Sequence, residues 1–196
     1  MSISRTGSTN TRLLWGVAVP AVVAAVAILS LTERDRPQGQ SEAEDNCVQA
    51  TDRIERGDTA GAEHYYRLAL AADSTHPRAS FGLARIAFAA GKYTPAAQLL
   101  RQAMLRDSDN YEIAYHLGLT FDRLQRPDSA AAYLRRAVEL EPTFARGHYS
   151  LGMLWLNRQE PDSAVKYLES YLALGPTDPQ SVREVQQLIE AIRYER

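Results

Sequence analysis

The chain has 196 residues, 45% of them hydrophobic and 23% charged, and a formal net charge of −2. That is the composition of a packed protein, and it excludes a chain that is disordered throughout. The near-neutral balance supplies no basic stripe for nucleic acid, and the single cysteine, Cys47, excludes both an internal disulfide framework and a multi-cysteine metal site.

Residues 1–12 are polar, with Arg5 and Arg12 and no acid. Leu13–Leu31, LLWGVAVPAVVAAVAILSL, follows without one charged residue. As a helix rising ~1.5 Å per residue it spans about 28 Å, close to the ~30 Å hydrocarbon core of a bilayer. Trp15 lies near one end, at headgroup depth, and Pro20 is a kink of the kind that membrane helices tolerate. The first reading is an uncleaved signal-anchor. A signal peptide cut after Ala25-Val26-Ala27 and a buried soluble helix are the other two. Arg34 and Arg36 on the far side balance Arg5 and Arg12. The acid-free start favours a cytoplasmic amino terminus, which places the rest of the chain in the periplasm or an equivalent outer space, on a single-pass inner (cell) membrane protein. Residues 32–42, TERDRPQGQSE, have no apolar period and are expected to be a flexible linker.

From residue 43 the chain repeats itself every 34 residues. Ala62, Ala96, Ala130 and Ala164 share one register; so do Ala69, Ala103 and Ala137; so do Leu83, Leu117 and Leu151. Gly118 steps to Gly152, Leu100 to Leu134 and Leu168, Pro142 to Pro176, and the string PDSA recurs at 127 and 161. Each unit reads as two short amphipathic helices with small residues where they must touch. Such a hairpin buries one face only and needs a like neighbour. The units are 43–76, 77–110, 111–144 and 145–178. Turns are expected at Gly57-Asp58 and Gly91-Lys92, with Thr94, Asp128 and Asp162 as helix caps. Residues 179–196 are shorter than a unit. Val182, Val185, Leu188, Ile189 and Ile192 form one stripe there, against a charged face of Arg183, Glu184, Gln187, Glu190 and Arg193, as suits a helix that closes an array.

Leu117, Gly118, Phe121, Ala130, Leu134, Ala137 and Pro142, with Leu151, Gly152, Trp155, Ala164, Leu168 and Pro176, resemble the tetratricopeptide repeat. Ala50 and Ala84 depart from it in place of glycine, Ser74 and Ser108 in place of proline, and Tyr171 in place of alanine. Gln49 and Arg53 replace apolar residues of the first unit, which suits a terminal repeat with a wetter face. The fold implied is all-α: a solenoid of four helical hairpins and a capping helix, preceded by a single transmembrane helix.

No constellation for catalysis is evident, and neither an enzyme nor a cofactor is expected. The four histidines, His64, His76, His116 and His148, read as surface or edge residues, and Cys47 has no evident base. The resemblance implies a concave face lined by the second, fifth and ninth positions of each unit. Cys47 and Thr51 stand there in the first unit, where relatives that grip chaperone tails carry lysine and asparagine. The candidate peptide-binding groove is Arg78, Phe81, Arg85, Tyr115, Leu119, Arg146, Tyr149 and Met153. Tyrosine and arginine carry much of the energy at interfaces, and arginine holds carboxylates by paired bonds. The expected partner is a protein or peptide with apolar and some acidic side chains, and the expected role is a membrane-anchored adaptor in envelope assembly. A structural subunit of a larger complex and a secreted protein remain as alternatives. A competing reading of the aromatics is that they only pack adjacent repeats.

Overall fold

A computed structural model of the chain describes residues 38–194. Among them are nine helices and no strand. They are α1 (Gln38–Glu55), α2 (Thr59–Ala72), α3 (Pro77–Ala89), α4 (Tyr93–Arg106), α5 (Tyr111–Arg123), α6 (Pro127–Leu140), α7 (Ala145–Asn157), α8 (Pro161–Ala173) and α9 (Pro179–Tyr194). The expected membrane span 13–31, the segment 1–12 and most of the expected linker lie outside the described residues. Within them, no helix is long and apolar enough to cross a membrane. The stretch 38–42, assigned to the linker, is already the start of α1. Its glutamine and glutamate are good helix formers, and its one breaker, Gly39, falls in the first turn, where a glycine costs little.

The 34-residue period is written into the backbone. The first helix of every unit ends on a residue with positive φ: Gly57 at 76°, Gly91 at 73°, Gln125 at 57° and Gln159 at 61°. The amide of the next residue then closes on a carbonyl five residues back. Asp58 bonds Arg53 at 2.8 Å, Lys92 bonds Ala87 at 2.9 Å, Arg126 bonds Phe121 at 2.9 Å and Glu160 bonds Trp155 at 3.0 Å. This is the closing bond of a Schellman turn, and it satisfies carbonyls that the helix end would leave bare. Glycine holds the left-handed residue without strain, whereas each glutamine carries a cost of roughly 1 kcal/mol.

Helix starts are less uniform. Asp58 accepts from the Gly61 amide at 2.8 Å, and the Asn110 side chain accepts from Glu112 and Ile113. The expected caps Thr94, Asp128 and Asp162 do not occupy cap positions. α4 begins at Tyr93, while Pro127 and Pro161 are first residues of their helices. Both aspartates fall inside the first turn, where a carboxylate meets the positive end of the helix dipole. Asp128 reaches forward to Arg158 Nη1 of the next unit at 2.7 Å.

The repeated small residues lie where helices touch. Ala62, Ala96, Ala130 and Ala164 are fully buried, as are Ala69, Ala103 and Ala137. In the last two hairpins the contact is closer than an alanine allows. A Cβ on Gly118 would stand 2.6 Å from Leu134 Cγ and 3.0 Å from its backbone nitrogen, and one on Gly152 would stand 2.7 Å from Leu168. Ala50 and Ala84, at the same register of the first two hairpins, are buried with their Cβ in place. Tyr66, which replaces the leucine of the later units, turns its ring onto Gly82, where a Cβ would lie 2.3 Å from it. The first unit is the wettest, as expected: Gln49 is exposed, and Arg53 pairs with Asp58 at 3.3 Å across its own turn.

The main core runs from Ala84 to Leu154 through Leu100, Leu117, Phe121 and Leu134, with Tyr133 stacked on Phe121 at 5.5 Å. At roughly 1.5–3 kcal/mol for each large apolar side chain buried, this cluster dominates stability. α9 buries Val185, Ile189 and Ile192 against Leu168 and Tyr171 of α8, so the expected stripe is the one that packs.

Candidate functional site

First helices stack side by side and present one face of each to the hollow of the array; second helices form the outer layer. Two cavities of similar size open on the first-helix face among the described residues. One, about 360 Å³, brings together Arg78, Phe81 and Arg85 of α3 with Thr51 and Ile54 of α1, Tyr66 of α2, and Asn110 and Glu112 at the start of α5. The other, about 310 Å³, brings Arg146, Tyr149 and Met153 of α7 against Tyr171 and the α9 residues Ser181, Glu184, Val185 and Leu188. Leu119 joins Tyr149 and Met153 in a smaller space of about 120 Å³ beside the second. Of the eight residues predicted from sequence, three line the first cavity, three line the second, Leu119 borders the second, and Tyr115 lines none of these three.

Tyr115 instead bridges repeats. Its ring meets Phe144 edge-on at 4.9 Å, and its hydroxyl accepts from Ser150 Oγ at 3.4 Å. Phe81 packs edge-on against His116 at 5.3 Å. Tyr149 is 40% exposed and leans on Tyr171 at 5.4 Å. Packing between repeats is therefore part of what these aromatics do. Phe81 and Tyr149 also face open space, whereas Tyr115 is chiefly a packing residue.

The arginines divide as well. The guanidinium of Arg78 is taken by the carboxylate of Glu44. Arg85 lies over the Phe81 ring at 5.8 Å and Arg146 over Phe144 at 5.6 Å, and neither forms an ion pair among the described residues. Two stacked, exposed guanidiniums with free N–H edges suit a carboxylate that comes from outside the chain.

Cys47, expected on the groove floor, is fully buried among α1, α2 and α3. Burial pushes its thiol up to about 11, so it stays protonated at neutral pH and faces His76 Nδ1 at 3.5 Å. That nitrogen also accepts the Ala79 amide at 3.4 Å, capping α3, while Nε2 faces Glu44 at 3.3 Å. The Cys–His–carboxylate row therefore exists but holds an inert thiol shut inside a helix junction. His76 is thus an interior residue, not a surface one. His116 is also largely enclosed, and burial first, then Arg85 and Arg146, push its pKa down to about 4. Its ring is neutral at pH 7. Among the described residues, no group of three or more His, Cys, Asp or Glu is placed to hold a metal.

The lining residues missed in the sequence include Ile54 and Asn110 of the first-helix layer, Tyr66 and Tyr171 of the second helices, and those of α9. A signal for α9 was present. Pro179 stands 34 residues after Ala145, which puts Val185 in register with Leu151, and Ile189 with Trp155. α9 takes the place of a first helix in a fifth unit, so it walls the hollow as its predecessors do.

Two profiles described as Tetratricopeptide repeat match the chain, one at residues 53–119 and one at residues 115–179. The chain belongs to the tetratricopeptide repeat family. Proteins built from these repeats are in general interaction scaffolds and not enzymes. No curated protein matches this tetratricopeptide chain. Among solved structures it is similar to the MamA protein, with 21% identity and a TM-score of 0.65 over 78% of this chain and 87% of that one. It is similar to pilF of Pseudomonas aeruginosa, with 25% identity and a TM-score of 0.68 over 81% and 71%. It is also similar to YrrB, described as a TPR protein with an unusual peptide-binding site, with 23% identity and a TM-score of 0.63 over 75% of each chain. At such identities the likeness is one of fold.

Proposed function

We propose that this protein is a membrane-anchored tetratricopeptide adaptor that holds a partner protein or peptide in the hollow of its first-helix face. Residues 13–31 are the anchor, the repeats stand on the outer side of an inner membrane, and the task is the assembly of an envelope complex. The observation that carries the binding role is the pair of cavities with apolar floors, one beside Arg85 and one beside Arg146. Large apolar side chains left half open beside uncommitted guanidiniums are poor for solubility alone and good for capture. The peptide-binding site in the description of YrrB, a protein of the same fold, supports the reading.

The test is site-directed photocrosslinking in cells. Reactive residues placed at Phe81, Tyr149 and Met153 are expected to give one shared protein adduct, and those at Leu68 and Leu105 on the second helices to give none. Equal capture from both faces overturns the assignment. A phosphatase fused to the carboxy terminus is expected to be active in cells; an inactive fusion beside an active cytoplasmic reporter reverses the topology.

A further inference from the structure

The two cavities lie toward opposite ends of one face, and between them, beside the small space under Leu119, runs a row of rings. Phe81 meets His116 at 5.3 Å, His116 meets Tyr115 at 5.5 Å and Tyr115 meets Phe144 at 4.9 Å. A ligand side chain cannot sink into that row of rings; it can only lie along it. Each end of the row carries an arginine stacked on its last ring, Arg85 on Phe81 and Arg146 on Phe144. Both guanidiniums are exposed. His116, between them, is held neutral at pH 7, so the positive charge along the row belongs to the arginines. A guanidinium stacked on a ring keeps its N–H edge free, and that edge matches a carboxylate.

The geometry points to an extended acidic peptide segment that seats one large apolar side chain in each cavity and lays carboxylates on Arg85 and Arg146 between them. This rests on the binding role proposed above and specifies the partner's chemistry and spacing. The anchors' separation follows from the array. α3 touches α5 and α5 touches α7, packed helices lie about 8–10 Å apart, and the second cavity opens beyond α7 toward α9. The span is therefore about 20–25 Å, or roughly six to eight residues of extended chain at ~3.3 Å each. A helical ligand rising ~1.5 Å per residue would need about 13–17 residues. A helix would also seat one side chain in each cavity, so the spacing at which affinity peaks tells the two forms apart.

The experiment uses the full-length chain and fluorescein-labelled synthetic peptides. Each peptide carries two leucines separated by three to fifteen residues of a glycine, serine and aspartate background, and binding is followed by fluorescence anisotropy. Affinity is expected to peak at a separation of six to eight, at least tenfold above separations of three or fifteen. Lysine in place of the central aspartates should weaken binding tenfold or more, and added salt should weaken it too. R85A and R146A should each weaken the best peptide about tenfold with the melting curve unchanged. R136A, which removes an arginine of the second-helix layer that pairs with Asp109, should change binding less than twofold. A peak at 13–15 residues, a flat dependence on spacing, equal binding of lysine peptides, or no binding by any peptide overturns the proposal. Failure here with selective crosslinking from Phe81 and Tyr149 in cells rejects the two-anchor segment and leaves the adaptor role standing. Tight binding at six to eight with no crosslink in cells rejects the adaptor role while the recognition geometry survives.

Discussion

The first two hairpins and the last two follow one 34-residue pattern and meet its demands with opposite residues. At the turn, the early hairpins use Gly57 and Gly91, while the later ones force Gln125 and Gln159 into the same left-handed backbone. At the helix contact the order reverses. The early hairpins keep a Cβ at Ala50 and Ala84, and the later ones omit it at Gly118 and Gly152 so that Leu134 and Leu168 can close in. The pattern thus fixes a geometry and not a residue. Local backbone strain at the turns of the later half is offset by tighter packing within its hairpins, and the first half does the reverse.

The largest break in this comparison should come from the packing itself. Leu134→Ala removes a buried leucine from the main core and is expected to cost about 2–5 kcal/mol. Tyr66→Ala, at the same register of the first unit but only half-buried, should cost clearly less in the same denaturant titration. Equal losses would mean that the two halves are packed alike.

Next comes the joint between the halves, where His116 lies against Phe81 of the second unit. Its folded-state pKa, about 4, is below the unfolded value of about 6.5. The unfolded chain therefore takes up a proton first as pH falls. The stability held by the neutral ring is complete above about pH 6.5 and is lost progressively toward pH 4, by about 3 kcal/mol. His116→Phe should flatten that part of the stability–pH curve relative to the parent. An unchanged slope would show that other groups carry it.

Gly118→Ala should destabilise by about 1–3 kcal/mol, because the clash reaches the Leu134 backbone and overpacking outweighs the better helix propensity. Ala84→Gly, the reverse exchange in the second hairpin, should cost about 1–2 kcal/mol, from propensity and from the buried methyl it removes. The smallest effects belong to the turns. Gln125→Gly and Gln159→Gly are each expected to raise stability by roughly 0.5 kcal/mol, as relief of left-handed strain is partly offset by glycine's larger unfolded-state entropy. Gly57→Ala and Gly91→Ala should lower it by about 1 kcal/mol. Thermal unfolding of the four variants side by side checks this; an unchanged Gln125→Gly would mean that the turn relaxes around its side chain.

Much of the array was legible in the amino-acid order, for a reason visible at Ala62, Ala96, Ala130 and Ala164. A contact between helices of one short hairpin recurs at a constant separation, so a local string carries it. The stripe of Val185, Ile189 and Ile192 was legible on the same ground. The caps were not, because Thr94-Pro95 and Asp128 fit a helix start one or two residues either side of the real one, and only the turn geometry selects among them. Gln125 and Gln159 carry no mark of a left-handed residue in their type, although their register with Gly57 and Gly91 does.

What the order of residues determined by itself is therefore the period, the hairpins, the small residues at their contacts and the face that first helices share, all set by neighbours within a unit or one unit away. Tertiary structure alone decided which side chains on that face remain open. Cys47 was drawn inside by His76, Tyr115 was spent on Phe144, Arg78 was claimed by Glu44, and α9 became a wall of the second cavity. Those outcomes depend on how helices cross, a rotation of a few degrees that moves a side chain from solvent to core and that no spacing along the chain records.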